Sequence, residues 1–428
     1  KVGSLEARTV SNENRIEDLE GRSFGGSGSV QWGGSMGIRW QASFADGLSD
    51  RITSDPQLRL ELNAAGRANN KTRWGISLRT GQSNWPSQSW GTFGTDSSGT
   101  ESFLGGSELR LSRYFLDYRA TDDLSMSLGK QENPFMNTEL IFDEDVNPTG
   151  ASESYQVDEH WTVRAGQYFL KSGTDYVSAT GANDRPKEDV YLFAHQVEYK
   201  RSYNPGETWT ARWSNLNFTG EQFIHPGAGL IPAAYTQGAG LMNGHFNRVS
   251  SWNGTDFQNN EARSGNYYNV AADGVNNPAG APAHNLNSTT NSKQLRLLSD
   301  FNLFNTYFGY EDNSDPTDPW GFKVDYVINN GAWNGEDSAW WFEIYRGSLK
   351  KKGDVRYGYQ YKRVESDAVL AFLNQDELST NVKGSSVFLE TRVKRNMDWF
   401  ATYFLFEPVT TVAIDKEGEL RTGLSLTF

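Results

Sequence analysis

The sequence contains no cysteine among its 428 residues, which excludes a disulfide framework and thiolate metal sites. No run of 18 apolar residues occurs, so there is no transmembrane helix. The chain has five histidines, and none lies beside a serine on a predicted strand. A membrane protein that crosses with strands is still allowed, because a barrel strand needs only about 10 alternating residues.

The composition is polar on average but rich in aromatic rings and glycine. Hydrophobic residues make up only 36%, whereas aromatic residues reach 13% and glycine reaches 43 residues. This balance favours alternating strands with aromatic girdles over a helical core. The formal net charge of −13 argues against a nucleic-acid partner.

Apolar and polar residues alternate in segments that recur along most of the chain. One of them begins with Trp32 and continues through Met36, Ile38 and Trp40, and the sequence closes on another, "LRTGLSLTF" (420–428). This period predicts strands with one apolar and one polar face. Short and long connections alternate if 150–156 and 161–171 are separate strands and 293–309 is one long strand. We therefore predict an all-β protein, a 16-stranded antiparallel transmembrane β-barrel, with both termini at the periplasmic end.

Residues 1–22 differ from the rest. Apolar and polar seam residues follow a heptad spacing, namely Val2, Leu5, Thr9, Asn12, Ile16 and Leu19. The spacing predicts a periplasmic helix that forms a short coiled coil, with a trimer favoured; the alternative is an amphipathic helix lying on its own protein. Residues 23–428 are assigned to the barrel. Within it, the Asn-, Gly- and Ala-rich segment 219–292 is predicted to be a long extracellular loop.

Two blocks of sequence resemble a known family. They are "LSRYFLDYRATDDLSMSLGKQENPF" (111–135) followed by "LIFDEDVNPTG" (140–150), and "KKKGDVRYGYQYKRVESDAVLAFLNQDELSTNVKGSS" (350–386). Both are similar to the "putative porin" family of Gram-negative outer membranes. The resemblance implies a transmembrane barrel with a pore and supplies no catalytic residues.

The connection 131–150 is the candidate constriction of such a pore. It carries Asp143, Glu144 and Asp145, and its apolar residues, such as Phe135 and Leu140, would let it pack against an inner wall. Folded inward, the three acids would line the narrowest part of the lumen; the alternative is a solvated outer loop.

With the apolar faces outward, arginines point into the lumen. The predicted basic wall comprises Arg59, Arg73, Arg79, Arg110, Arg113 and Arg164. Arg113 joins it only if a β-bulge occurs near residue 112, where the apolar parity shifts. Acids on the loop and arginines on the wall would set up a field that selects solutes by size, charge and dipole.

The aromatic residues are predicted to form interfacial girdles. An aromatic slide for sugars is the alternative, and only Trp341 and Tyr345 have inward parity for it on their strand. Phe428 is predicted to end the strand that closes the barrel and to act as an assembly signal for insertion into the membrane.

The sequence thus predicts an outer-membrane porin, a homotrimer surrounded by lipid, for passive diffusion of small hydrophilic solutes and ions. The alternatives are a substrate-selective channel on the same fold, or a soluble all-β carbohydrate-binding or adhesive protein. We expect no enzyme activity, because His245, Ser250 and Ser251 lie in the long loop rather than on a strand. We expect no cofactor and no metal, since Asp312, Asp315 and Asp318 fit a stiff turn better than a calcium loop.

Overall fold

The computed structural model describes twelve stretches of the chain. These are residues 30–46, 52–81, 89–93, 109–171, 189–220, 268–270, 295–297, 299–332, 335–370, 373–374, 380–409 and 416–428. The heptad segment 1–22 and nearly all of 219–292 lie outside them, so the predictions for both segments stay predictions. Within the described residues, no helix is long and apolar enough to cross a membrane.

The described strands follow one another along the chain as nineteen elements. They are β1 (Gln31–Asp46), β2 (Ile52–Asn69), β3 (Thr72–Thr80), β4 (Gly91–Thr92), β5 (Leu109–Arg119), β6 (Leu124–Lys130), β7 (Thr149–Gln156), β8 (Trp161–Lys171), β9 (Val190–Arg201), β10 (Glu207–Thr219), β11 (Tyr268–Val270), β12 (Leu295–Leu297), β13 (Asn302–Asp312), β14 (Trp320–Asn329), β15 (Ser338–Gly347), β16 (Val355–Val364), β17 (Val382–Lys394), β18 (Met397–Pro408) and β19 (Lys416–Thr427).

Sixteen of these strands form one closed antiparallel barrel. Each pairs with the next one along the barrel, and β19 pairs with β1 to close it. The two-residue β4 adds to β2, while β11 and β12 form a separate pair. The predicted 16-stranded barrel is confirmed. The connections at one end, called the turn end, are at most seven residues long, and the other end, called the loop end, carries the long connections such as 131–148 and 365–381.

The strands alternate between an exposed outer face and an enclosed inner face. In β1 the outer side chains of Ile38 and Trp40 are exposed, whereas Arg39 between them is buried. The outward positions of β5 change from odd to even residue numbers, and the cause is the predicted β-bulge. The register with β3 slips between Arg113 and Leu111 and leaves Ser112 as the bulge. The bulge lets Arg113 share the inner face with Arg110.

One strand prediction is wrong. Residues 293–309 are not a single strand, since β12 ends at Leu297 and β13 begins at Asn302. Within β13, Leu303 is fully buried inside while Phe304 is exposed outside. Both faces of β13 are therefore apolar near its loop end, so alternation of hydrophobicity does not show where the strand begins or which face is inside.

Phe428 takes part in closing the barrel, because its backbone pairs with β1. The Phe428 N–H donates to the Gly34 carbonyl at 3.0 Å, and the Gly34 N–H donates to the Phe428 carbonyl at 2.8 Å. The Phe428 ring lies over Gly34, where any added Cβ would come within 2.9 Å of it. Glycine at this position therefore allows the ring to pack at the seam between β1 and β19.

Candidate pore and constriction

The connection between β6 and β7, residues 131–148, is folded into the barrel. Its apolar side chains Phe135, Leu140 and Phe142 are at most 2% exposed. Its acidic residues reach the inner wall, as described below. The segment therefore fills part of the lumen and does not project from the loop end.

A second connection is folded inward as well. The described part of 365–381, between β16 and β17, buries Ala368, Val369 and Leu370 almost completely. The two inward loops meet directly, since the Asp143 N–H donates to the Leu373 carbonyl at 2.6 Å. Nothing predicted from the sequence placed this connection inside the barrel. The apolar run "AVLAFL" (368–373) in a polar loop was the signal that could have revealed it.

These two loops come from opposite sides of the barrel. The first leaves between β6 and β7 and the second between β16 and β17, and eight strands separate the two points in either direction. Their contact at Asp143 and Leu373 therefore bridges the lumen near the loop end. The bridge divides that part of the lumen into one half lined by β7–β16 and another lined by β17–β6.

Near the loop end, the half lined by β7–β16 is filled with apolar side chains. Inward residues of β8–β16 pack with both loops in one cluster, which includes Tyr168, Leu192, Leu216, Leu303, Val327, Trp341 and Val364 from the wall. Val382 on β17 and Phe404 and Phe406 on β18 extend the cluster past the bridge. Close packing of this kind leaves few voids larger than a water molecule. Near the loop end, this half is a plug.

Polar contacts hold the first loop against the plugged wall. The Asn137 side-chain amide donates to Asn305 at 2.6 Å, and the Thr138 hydroxyl donates to Asp325 at 2.7 Å. Arg212 donates to Asn137 and is ion-paired with Glu198. Predicted wall residue Arg164 belongs to this side, where it is paired with Glu198 at 3.1 Å.

The other half is lined by charges. Asp145 of the first loop accepts from Arg79 at 2.6 Å and from Arg59 at 3.1 Å, and Arg59 also pairs with Glu144 at 3.1 Å. The Asp143 carboxylate accepts from the Asp145 N–H at 2.8 Å and shapes the loop. The predicted acids Glu144 and Asp145 therefore meet the basic wall.

The remaining predicted arginines extend this charged face. Arg113 pairs with Glu61 at 2.7 Å and with Glu132 at 3.4 Å. Arg110 lies opposite Arg79 in the strand register. Arg73 is nearer the turn end, where it pairs with Asp117 at 3.1 Å. The structure thus gathers Arg59, Arg79, Arg110 and Arg113 around the loop acids and leaves Arg73 and Arg164 apart from them.

Many of the aromatic rings inside the barrel belong to the apolar plug. Trp341 is 3% exposed within the apolar plug, and the Tyr345 hydroxyl donates to Glu311 at 3.1 Å. Trp90, from the segment before β4, lies 4.4 Å from the Arg39 guanidinium and forms an edge contact with Phe400. Trp90 was not among the residues predicted to line the lumen.

The carboxylates in and next to the acidic turn 313–319 make hydrogen bonds and an ion pair with neighbouring protein groups. Asp312 accepts from Ser314, Asp315 accepts from Thr317, and Asp318 is paired with Arg346. The Thr317 hydroxyl and backbone N–H hold the pKa of Asp315 below its usual value. The carboxylates thus stiffen the turn. The histidine and serines considered for catalysis, at 245, 250 and 251, lie outside the described residues.

Comparison with known proteins agrees with this architecture. Residues 26–219 match the family described as "Putative porin", which confirms the resemblance read from 111–150; the second block, 350–386, lies beyond that match. Pseudomonas putida OprB aligns with a TM-score of 0.58 at 10% identity, over 97% of this chain and 96% of that one. This likeness shows the fold.

Two further solved structures align more loosely. Salmonella typhi OmpF in complex with daunomycin has a TM-score of 0.47 at 10% identity, over 94% of this chain and 98% of that one. A loop-deletion mutant of Vibrio cholerae OmpT has a TM-score of 0.48 at 12% identity, over 94% and 100%. No curated protein matches the sequence.

Proposed function

Because the chain is a porin channel of the bacterial outer membrane, we propose that it passes small hydrophilic solutes and ions by passive diffusion along an off-centre path. The observation that carries this proposal is the contrast between the two halves of the lumen. Near the loop end, one half is packed with apolar side chains, and the other presents charged groups from both the wall and the loop. Water and ions follow the charged half, since an apolar plug offers them no hydrogen-bond partners.

The narrowest part of that path lies beside the contact between the first loop and the basic wall. There Glu144 and Asp145 pair directly with Arg59 and Arg79, and Arg110 and Arg113 extend the basic side of the wall. Opposite charges fixed in this way create a local field in the path next to them. A polar solute can orient in that field and keep most of its hydration, while a long apolar solute gains nothing there. Selection is then by size, charge and dipole.

We also propose that the barrel assembles as a homotrimer in the outer membrane and has no catalytic role. The heptad spacing of residues 1–22 supports three-fold association. The outer wall supports membrane embedding, since its exposed residues include Leu128 and Trp40. These outward residues match a lipid-facing band.

A substrate-selective channel is the second candidate. The observation in its favour is that two inward loops, rather than one, occupy the lumen and meet at Asp143 and Leu373. A path narrowed in this way could hold one class of solute in preference to others. Competition separates the candidates, because a selective channel is blocked by its solute whereas a general porin is not.

Liposome swelling tests the proposal. Purified protein in vesicles should admit neutral sugars and amino acids at rates that fall smoothly with solute size. Vesicles that do not swell with any small solute, although the protein is folded and inserted, would contradict passive diffusion. A single solute that enters far faster than others of its size would favour the selective channel.

A further inference from the structure

The outer wall of the barrel differs in character around its circumference. On β14, β16, β19, β1 and β3 the exposed mid-strand side chains are almost all aliphatic or aromatic, as expected for a surface in lipid. On β7–β10 the outward positions are instead occupied in part by polar side chains. These are Glu153, Gln167, His195, Asn215 and Asn217, all exposed. We call this outer surface the polar sector.

The polar sector contains ionisable residues in the middle of strands. Glu153 and His195 each lie at least three residues from the ends of their strands. Among the described side chains of the outer wall, the other charged residues lie at most one residue from a strand end, as in the ion pair of Lys383 with Glu407. Neither Glu153 nor His195 has a hydrogen bond or ion pair within the described part of the chain.

Glu153 and His195 lie in a band of the outer wall that has aromatic side chains on both its turn-end and its loop-end side. Toward the turn end, Tyr155 and Tyr199 flank them, and Phe169 and Tyr191 flank them toward the loop end. Aromatic residues of this kind mark the two lipid–water interfaces of a barrel. Glu153 and His195 thus fall where acyl chains would lie if this sector faced lipid.

The strand register places these polar groups in one row. Glu153 pairs with Ala165, Ala165 pairs with His195, and His195 pairs with Asn215. At the centre of this row, the small Ala165 side chain lies between an acid and a base. An acid and a base side by side are complementary to the same pair on another copy, where each could meet its opposite.

We propose that the polar sector is the surface through which one copy of this barrel contacts another in the membrane. The inference rests on the proposed self-association and adds where it occurs. Polar side chains that are costly in lipid become acceptable when they hydrogen-bond across a protein interface. The sector spans four of the sixteen barrel strands, a width that fits a wedge facing a three-fold axis, with β8 and β9 nearest that axis.

Cysteine cross-linking tests this placement, because the native sequence has no cysteine that could react in place of an introduced one. Ala165→Cys puts one thiol at the centre of the polar sector. Ala401→Cys is the matched control, since Ala401 is an outward alanine in the middle of β18, eight strands from β8 in either direction. Each variant is treated with a short bismaleimide, both in intact outer membranes and after purification in mild detergent.

Ala165→Cys should give covalent dimers of this chain, and Ala401→Cys should stay monomeric on denaturing gels. Dimers from Ala401→Cys instead, or adducts of Ala165→Cys with a different protein, would overturn the assignment. If neither variant cross-links although gels without heating show oligomers, the sector is wrong while self-association stands. A protein that is monomeric throughout overturns both, and its conductance would still test the pore independently.

A second variant uses no cross-linker. Glu153→Leu should lower the temperature at which oligomers dissociate, because it removes a polar partner from the interface. Ala401→Leu adds similar bulk on the opposite side and should leave that temperature unchanged. If Glu153→Leu leaves oligomers as heat-stable as the native protein, the sector faces lipid and the proposal fails.

Discussion

At the scale of single residues, Asp145 is the central acid of the lumen. It accepts hydrogen bonds from Arg59 and from both the Nη1 and Nη2 atoms of Arg79, the latter through its backbone carbonyl at 2.8 Å. Its side chain and that of Arg79 are each only 5% exposed. A buried pair of this kind costs desolvation, but removing one partner leaves an uncompensated charge. The pair therefore fixes the loop and sets the local charge together.

Asp145→Asn should shift the channel toward anions. The substitution keeps the shape of the side chain while removing a negative charge beside Arg59 and Arg79, so the anion-to-cation permeability ratio should rise roughly twofold or more. The reversal potential in a salt gradient measures it. Glu159→Gln is the control, because that side chain is 86% exposed in a turn. Equal reversal potentials for the two variants would place Asp145 away from the permeation path.

Phe428→Ala should reduce the amount of protein assembled in the outer membrane. Its backbone would still pair with Gly34, but the ring that covers the seam between β1 and β19 would be lost. Phe93→Ala is the matched control, since both rings are 51% exposed. The fraction of folded protein in outer-membrane extracts is the readout. Normal levels of the Phe428 variant would rule out a role as an assembly signal.

At the scale of elements, the two inward loops explain where sequence reasoning succeeded and where it did not. The apolar residues beside Asp143–Asp145 indicated that 131–148 could pack inside, whereas the same kind of run at 368–373 was not recognised. Strand β13 was misread for a related reason. Its inner face at Leu303 packs against the plug, so both faces are apolar and alternation gives no direction.

Leu140→Ala should destabilise the barrel, because Leu140 is fully buried in the plug. Loss of a buried leucine side chain typically costs about 2–5 kcal/mol. Leu128→Ala removes the same atoms from a side chain that is 60% exposed on the outer wall, and should cost less. Unfolding of both variants in urea with detergent gives the comparison. A similar loss of stability for both would mean that the plug is not packed as described.

Replacing 366–373 by a Gly-Ser segment should increase conductance and admit larger solutes. The replacement removes Val369 and Leu370 from the plug and the Leu373 carbonyl environment that receives the Asp143 N–H. The resistance of the folded barrel to sodium dodecyl sulfate without heating serves as the control for folding. If that barrel is intact but conductance is unchanged, the second loop does not restrict the path.

At the scale of the whole molecule, the sequence was sufficient for the barrel and insufficient for its lumen. The alternation of apolar and polar residues shows which face of a strand is apolar, and for β1 and β16 that face is the outer one. It cannot report that apolar side chains also fill half of the lumen near the loop end, because that depends on loops from opposite strand pairs. Likewise, polar Glu153 and His195 on the outer face run against the general rule, and only the register showed that they share one row.

The central claim is that the charged half of the lumen is an open, water-filled path. Single-channel recording of detergent-purified protein in a planar bilayer tests it most directly. We predict steady ohmic openings that close in three equal steps, with an ion selectivity that Asp145→Asn shifts toward anions. Silence from folded and inserted protein, or a conductance that Asp145→Asn leaves unaltered in both size and selectivity, would contradict the account.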